Sequence, residues 1–202
     1  LRGRGIVDPR VLEAMGVVRR ELFVDPPMRW RAYVDAALPI ALGQSISQPY
    51  VVARMLELLA LEAGQRVLDI GTGSGYGAAV LAAMGCTVVS IERHRALADG
   101  AAERIRAAGF GDQVAVRVGD GTLGDPDGAP WPRIIVGAAA PRIPDTLRDQ
   151  LDPVGGRLVL PVGSQSEQRL VLVVRDGADW LEKDDDSVVF VPLIGAEGYR
   201  YD

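Results

Sequence analysis

The chain has 202 residues, 48% hydrophobic and 24% charged, which suits one globular domain with a substantial core and excludes a mainly disordered chain. A formal net charge of -5 argues against a nucleic-acid partner, while a single cysteine, Cys86, and a single histidine, His94, exclude an internal disulfide and a structural zinc site. No apolar run approaches the ~20 residues that cross a bilayer and the first residues lack the apolar core of a signal peptide, so the expectation is a cytoplasmic monomer with no metal and no membrane partner.

From Asp8 to Arg20, Val11, Leu12, Met15 and Val18 fall near helical spacing behind a capping Asp8 and a first-turn Pro9. The stretch VDPPMRWRAY is Pro-rich and aromatic and reads as an irregular connector packed on the body, with Trp30 and Tyr33 as packing residues or cleft lining. A second helix follows from Pro49 to Ala60, with Gly64 beyond its end. Residues 1–64 thus form an N-terminal segment placed before a core of residues 65–202.

After Gly64, strands at RVLDI, TVVSIE, QVAVRVG and RIIVGA alternate with helices at YGAAVLAAM and RALADGAAERIRAAG. Near-continuous Val and Ile runs in such a repeat predict an α/β fold, a doubly wound and mostly parallel sheet covered on both faces. GGRLVLPVG, QRLVLVVRDG and SVVFVPL read as antiparallel C-terminal strands, and the run Asp184 to Asp186 as a solvated hairpin loop.

The stretch RVLDIGTGSGYG is a strand entering a glycine-rich turn, the usual cofactor position of α/β proteins. Gly73, Gly75 and Ala78 satisfy the dinucleotide pattern, which keeps a nicotinamide or flavin cofactor in view. Asp69, two residues before Gly71, would repel a pyrophosphate and attract the ammonium and sulfonium of S-adenosylmethionine. Glu92 ends the next strand, where an acid accepts ribose hydroxyls, and Asp120 with Gly121 ends the third, suited to the adenine amino group and ring. Each acid also has a plainer reading: Asp69 as a helix cap, Glu92 as a loop acid, Asp120 as a turn residue.

These residues, together with ALPIALGQSISQPYVVARMLELL, SIER, GDG, IIVGAAAPRIP, GGRLVLPVG and FVPL, make the chain resemble the protein-L-isoaspartate O-methyltransferases along almost its whole length. The most specific stretches are GQSISQPY before a helix and VGAAAP after the fourth strand. The resemblance implies one Rossmann-like S-adenosylmethionine-dependent methyltransferase domain over 1–202, with S-adenosyl-L-homocysteine as the spent cofactor. It implies methyl transfer to the α-carboxyl of L-isoaspartyl residues in damaged proteins or peptides, initiating repair through a succinimide. By the same matching, Ser47 is the active-site serine, and Gln44, Ser45 and Ile46 lie along cofactor and substrate. Arg93 joins Gly71, Gly73 and Gly75 as cofactor contacts, and Gly137, Ala138, Ala139 and Leu193 border the substrate.

A carboxylate with a reference pKa of ~3.9 is ionised at neutral pH, so it needs alignment and water exclusion but no general base. Ser47 also stands where serine commonly caps a helix, before Gln48 and Pro49. Trp131, Pro132 and Arg133 replace the aromatic-acid pair of many relatives, and TLGDPDG follows GDG where relatives often have an aromatic and a glycine. Three alternatives stay open: an aspartate O-methyltransferase acting on a ribosomally made peptide, an NAD-dependent oxidoreductase, and a non-catalytic peptide-binding module.

Overall fold

The computed structural model describes residues 1–200; Tyr201 and Asp202, the end of the expected domain span, lie outside the described residues. Helix α1 spans Pro9–Val17, the short strands β1 and β2 are Leu38–Pro39 and Ser45–Ile46, and helix α2 is Pro49–Leu59. The core then alternates β3 (Arg66–Ile70), α3 (Tyr76–Ala83), β4 (Thr87–Glu92), α4 (Arg95–Ala107), β5 (Val114–Val118) and β6 (Arg133–Val136). It ends with α5 (Asp145–Asp149), β7 (Val154–Gly163), β8 (Gln168–Asp176) and β9 (Asp179–Val188).

The sheet has seven strands in the order β5-β4-β3-β6-β7-β8-β9. The first five are mutually parallel, whereas β8 and β9 join antiparallel. The chain therefore steps outward from β3 to β5 and returns to the other side of β3 as β6. That reversal opens a crevice at the carboxyl ends of β3 and β6.

Strand alternation sends Val67, Ile135 and Val159 to one face and Leu68, Ile134 and Leu158 to the other. On the first face they meet Val11, Phe23, Leu56, Leu81 and Ile105 from the N-terminal segment and helices α2 to α4. The second face is covered differently from expectation. Little helix is available there, and the cover is α5 with Trp131, Leu151 and Leu193. Trp131 is 2% exposed and its indole N–H donates to the Asp125 carbonyl (3.0 Å), with the Arg66 guanidinium stacked on its ring.

Three sequence expectations are corrected. SVVFVPL is not itself the last strand; β9 occupies the acidic stretch ahead of it and takes in only its Ser187 and Val188, so Asp184 to Asp186 lie in a strand rather than a hairpin loop. As the edge of the sheet this strand is largely exposed, so it lacks the apolar alternation that marks a half-buried strand. Trp30 and Tyr33 neither pack nor line a cleft: they are 81% and 65% exposed on the connector, which forms a 3-10 turn at Pro26–Arg31.

Candidate active site

The floor of the site is the turn after β3. Gly71, Gly73 and Gly75 all have positive φ (87°, 53° and 92°), which the tight strand-to-helix reversal requires. At the crevice Gly71 faces Gly137 of the turn after β6; a Cβ on Gly137 would lie 3.2 Å from the Gly71 carbonyl oxygen. Two glycines thus keep the mouth of the crevice open to a ligand. Gly121, at the end of β5, belongs to the same design, because a Cβ there would come within 2.4 Å of Ile70.

Register places Asp69 beside Ser90 across the β3–β4 pair. The Ser90 hydroxyl donates to Asp69 Oδ2 (2.6 Å) and is 2.5 Å from the Thr72 hydroxyl. Asp69 is 7% exposed, and burial pushes its carboxyl up to about 6, with Ser90 opposing the rise and the Glu92 charge adding to it. Asp69 is therefore not a helix cap. Glu92, also buried, accepts the Gly73 N–H on Oε2 (2.9 Å) and the His94 N–H on Oε1 (3.0 Å), and each oxygen keeps a lone pair for another donor.

The roof comes from the N-terminal segment. β1 and β2 pair as a small hairpin, and the chain passes from Ile46 through Ser47 into α2. Ser47 does not cap that helix. The Tyr50 N–H is taken instead by the Asp35 carboxylate (3.0 Å), leaving the Ser47 hydroxyl with no hydrogen bond to the described residues. The Ser47 carbonyl accepts from Arg20, a guanidinium only 1% exposed that also donates to the Ala32 carbonyl and lies over the Tyr76 ring at 4.8 Å. Arg20 thus fixes the Ser47 backbone from below.

Three connected spaces surround this point. A cavity of about 280 Å³ lies over the glycine turn; Gly71, Gly73, Glu92, Arg93, Gly121 and Gly137 border it from below. Gln44, Ser45, Ala138 and Leu193 border it from above and from the side. A smaller space of about 70 Å³ is bordered by Ser45, Ile46, Ser47, Asp69 and Tyr76. A groove of about 870 Å³ runs outward from Ser45 and Ser47 between α2 and the β8–β9 wall. Ser45 borders all three, and Ser47 borders the groove and the small space.

Three predicted residues stand outside these walls. Gly75 is the N-cap of α3, where both its positive φ and the 3.1 Å that would separate a Cβ from Ile105 exclude a side chain. Asp120 is engaged as a turn residue: Oδ1 accepts from the Thr122 N–H and hydroxyl (2.9 and 2.7 Å) and Oδ2 from the Ala196 N–H (2.8 Å). Ala139 is fully buried, exchanging backbone hydrogen bonds with Val191 and Leu193 (2.8 and 2.7 Å). Sequence reasoning missed Ser90 and Thr72 beneath Asp69, although Ser90 shares a strand face with Glu92. It also missed Arg169 and Val188 on the far wall of the groove, which the β8–β9 pairing brings opposite Ser47, and Ser166 in the turn before β8; Phe190 of FVPL, expected from the resemblance beside the substrate, borders the same groove.

The fold and the crevice define the class: a Rossmann-like S-adenosylmethionine-dependent methyltransferase architecture with antiparallel C-terminal strands. The sequence matches the family described as Protein-L-isoaspartate(D-aspartate) O-methyltransferase over residues 1–198. Protein-L-isoaspartate O-methyltransferase 2 of Pelobacter propionicus is 54% identical over 98% of this chain and 88% of its own length. Protein-L-isoaspartate O-methyltransferase 1 of Rhodopseudomonas palustris is 52% identical over 98% of this chain and 81% of its own. A solved protein-L-isoaspartate O-methyltransferase superposes with a TM-score of 0.86 at 28% identity, covering 98% of this chain, which spans 64% of that one. A structure described as the Plasmodium falciparum protein-L-isoaspartate O-methyltransferase with S-adenosyl-L-homocysteine superposes with a TM-score of 0.80 at 25% identity, covering 96% of this chain and 94% of that one. The chain belongs to the protein-L-isoaspartate(D-aspartate) O-methyltransferase family.

Proposed function

We propose that this protein transfers a methyl group from S-adenosyl-L-methionine to the α-carboxyl of L-isoaspartyl residues in proteins or peptides, the reaction named for its relatives, and so initiates their repair through a succinimide. The observation that carries the reading is Ser47, its hydroxyl not engaged by any described residue, standing where the buried acid of the glycine turn meets an open groove of about 870 Å³. The residues present fit the donor. Asp69 and Glu92 offer buried carboxylates to an ammonium and to ribose hydroxyls, and the facing Gly71 and Gly137 leave room that any Cβ would fill. When bound, the donor supplies a methyl carbon activated by a sulfonium.

The chain's part is positioning. Arg20 holds the Ser47 carbonyl, which leaves the hydroxyl to donate to one oxygen of the substrate carboxylate and point the other toward the crevice. A neutral donor suits a reaction that cancels an anion against a cation, because a fixed cation would stabilise the reactant carboxylate more than the transition state. The apolar walls Ile46, Val188 and Phe190 exclude water from the transfer.

We further propose that residues 1–64 and 65–202 act as one methyltransferase domain, a monomer working in the cytoplasm. The N-terminal segment supplies the roof of the site, Cys86 is a lone buried thiol raised to about 11 by burial, and among the described residues no helix is long and apolar enough to cross a membrane.

The test is methyl-ester formation on matched peptides that differ only in L-isoaspartate against aspartate. Ester is expected on the isoaspartyl peptide alone, and Ser47→Ala is expected to lower the rate about 10–100-fold while S-adenosyl-L-homocysteine binding and melting stay unchanged. Ester on the aspartyl peptide would instead make the protein an aspartate O-methyltransferase. Ester on neither would overturn the reading.

A further inference from the structure

We propose that Leu42 is a cofactor-retention residue, a side chain held in a strained turn because it closes the nucleoside side of the crevice over the bound methyl donor; this rests on the donor assignment above. Ala41 to Gln44 form the tip of the β1–β2 hairpin, with the Gln44 N–H bonded to the Ala41 carbonyl (3.2 Å) and the Ile40 N–H to the Gln44 carbonyl (2.9 Å). Leu42 has φ 58° and ψ 31° and Gly43 has φ 67°, the left-handed pair of a type I′ turn. Asn, Asp or Gly normally fills the first of those positions, because a Cβ there crowds the following carbonyl, a cost that Gly avoids and that Asn and Asp offset by local hydrogen bonding.

The contrast with Ala60 is informative. Ala60, the other side-chain-bearing residue with positive φ among the described residues, has φ 48° at the C-terminus of α2, where a left-handed residue routinely ends a helix. No such fold requirement selects leucine at residue 42. What the fold does provide is a location: Leu42 borders the 280 Å³ cavity that Ile91, Glu92, Arg93 and His94 also border, and in the same hairpin Ile40 Cδ1 lies 3.8 Å from where a Cβ on Gly73 would stand, beside the Gly73 N–H that Glu92 accepts. It does so with 55% of its surface exposed, so a ligand beneath it would complete the burial that the protein leaves unfinished. An apolar side chain, strained in the ligand-free hairpin and covered only against a ligand, spends stability on affinity.

The test compares Leu42→Gly, Leu42→Asn and Leu42→Met with the unaltered protein in two measurements, melting without ligand and calorimetric titration with S-adenosyl-L-homocysteine followed by its dissociation rate. Gly and Asn, which suit the turn but lack the apolar cover, are expected to raise the ligand-free melting temperature by about 2–4 °C while weakening the ligand about 5–10-fold through faster release. Met, which keeps the cover, is expected to retain affinity within about twofold. Affinity unchanged in both Gly and Asn overturns the proposal, as does a melting temperature that falls in both, since leucine would then serve the hairpin itself. Failure of the unaltered protein to bind the ligand would instead remove the donor assignment, and this inference with it.

Discussion

The acid at the end of β3 shows how one buried side chain links stability, pH and ligand. Asp69 has its carboxyl pushed from 3.8 up to about 6, chiefly by burial. A folded-state pKa above the unfolded one means that the folded chain keeps a proton that the unfolded chain has already released. The resulting stabilisation is full in acid and is lost as pH rises from about 4 to about 6, beyond which it stays lost. A ligand that brings its ammonium group to Asp69 acts in the opposite sense, because it favours the ionised carboxylate. Binding of S-adenosyl-L-homocysteine should therefore tighten as pH rises through about 6, by at most about tenfold per pH unit on the acid side, and level off above. Asp69→Asn should flatten that profile between pH 5 and 7, weaken the ligand and raise ligand-free stability at neutral pH by on the order of 1–3 kcal/mol. Titration calorimetry across pH and denaturant melts check the two signs separately; a mutant with unaltered pH dependence would show that Asp69 does not meet the cation. Asp120, read from an equally suggestive strand end, borders none of the three spaces, and its oxygens are turned to Thr122 and Ala196. The sequence displays a carboxylate at a strand end in both cases but not which donors fold back to satisfy it.

At the scale of elements, the edge strand β9 carries information that hydrophobic pattern could not. Its acidic residues face α2 rather than bulk solvent alone: Arg54 grips Asp185 through Nε and Nη2 (2.8 and 2.6 Å), and the Tyr50 hydroxyl donates to Asp186 (2.6 Å). The Asp185 side chain is only 9% exposed, its carboxyl is held below the usual range mainly by the Arg54 hydrogen bonds, and the Arg54 guanidinium is raised. A bidentate pair of this kind is stronger than a loose surface contact. It joins the two walls of the groove, since α2 contributes Val51 and the end of β9 contributes Ser187 and Val188. Arg54→Ala should cost about 1–3 kcal/mol in denaturant unfolding at pH 7. The same clamp weakens in acid, because a carboxylate with a depressed folded pKa loses its contribution only as pH falls through that lowered value. With the groove walls untied, the peptide KM should rise several-fold while S-adenosyl-L-homocysteine affinity stays put; a loss confined to cofactor affinity would mean that the pair supports the crevice instead. The strands β3 to β6 and helices α2 to α4 were legible because each buries a periodic apolar face. An acidic edge strand and a five-residue α5 have no such face to announce them.

For the molecule as a whole, the glycine turn and the strand-helix alternation disclosed the cofactor half of the site, whereas the groove depended on long-range pairing that no local pattern encodes. The two halves of the chain nevertheless form one core. Val11, Phe23, Leu38 and Ile46 from the N-terminal segment pack in the same cluster as Val67, Ala79, Val88 and Val159 from the sheet side. Polar ties cross the same boundary: Arg157 and Arg133 donate to the Leu58 and Ala60 carbonyls at the end of α2 (2.9 and 3.2 Å). Without residues 1–64 the sheet would expose Val67, Ile135 and Val159 to water and lose the roof that carries Ser47, which is the basis of the proposed single domain. Unfolding should accordingly be a single transition, with far-ultraviolet circular dichroism, which reports the sheet and helices, and tryptophan fluorescence, from buried Trp131, half-buried Trp180 and exposed Trp30, giving coincident midpoints. A ligand that binds only the folded chain should move both signals together, by about 2.7 kcal/mol at a concentration 100 times its Kd. Separated midpoints, or a transition in one signal that S-adenosyl-L-homocysteine leaves in place, would show that the roof folds independently of the floor and that the site is assembled from two units.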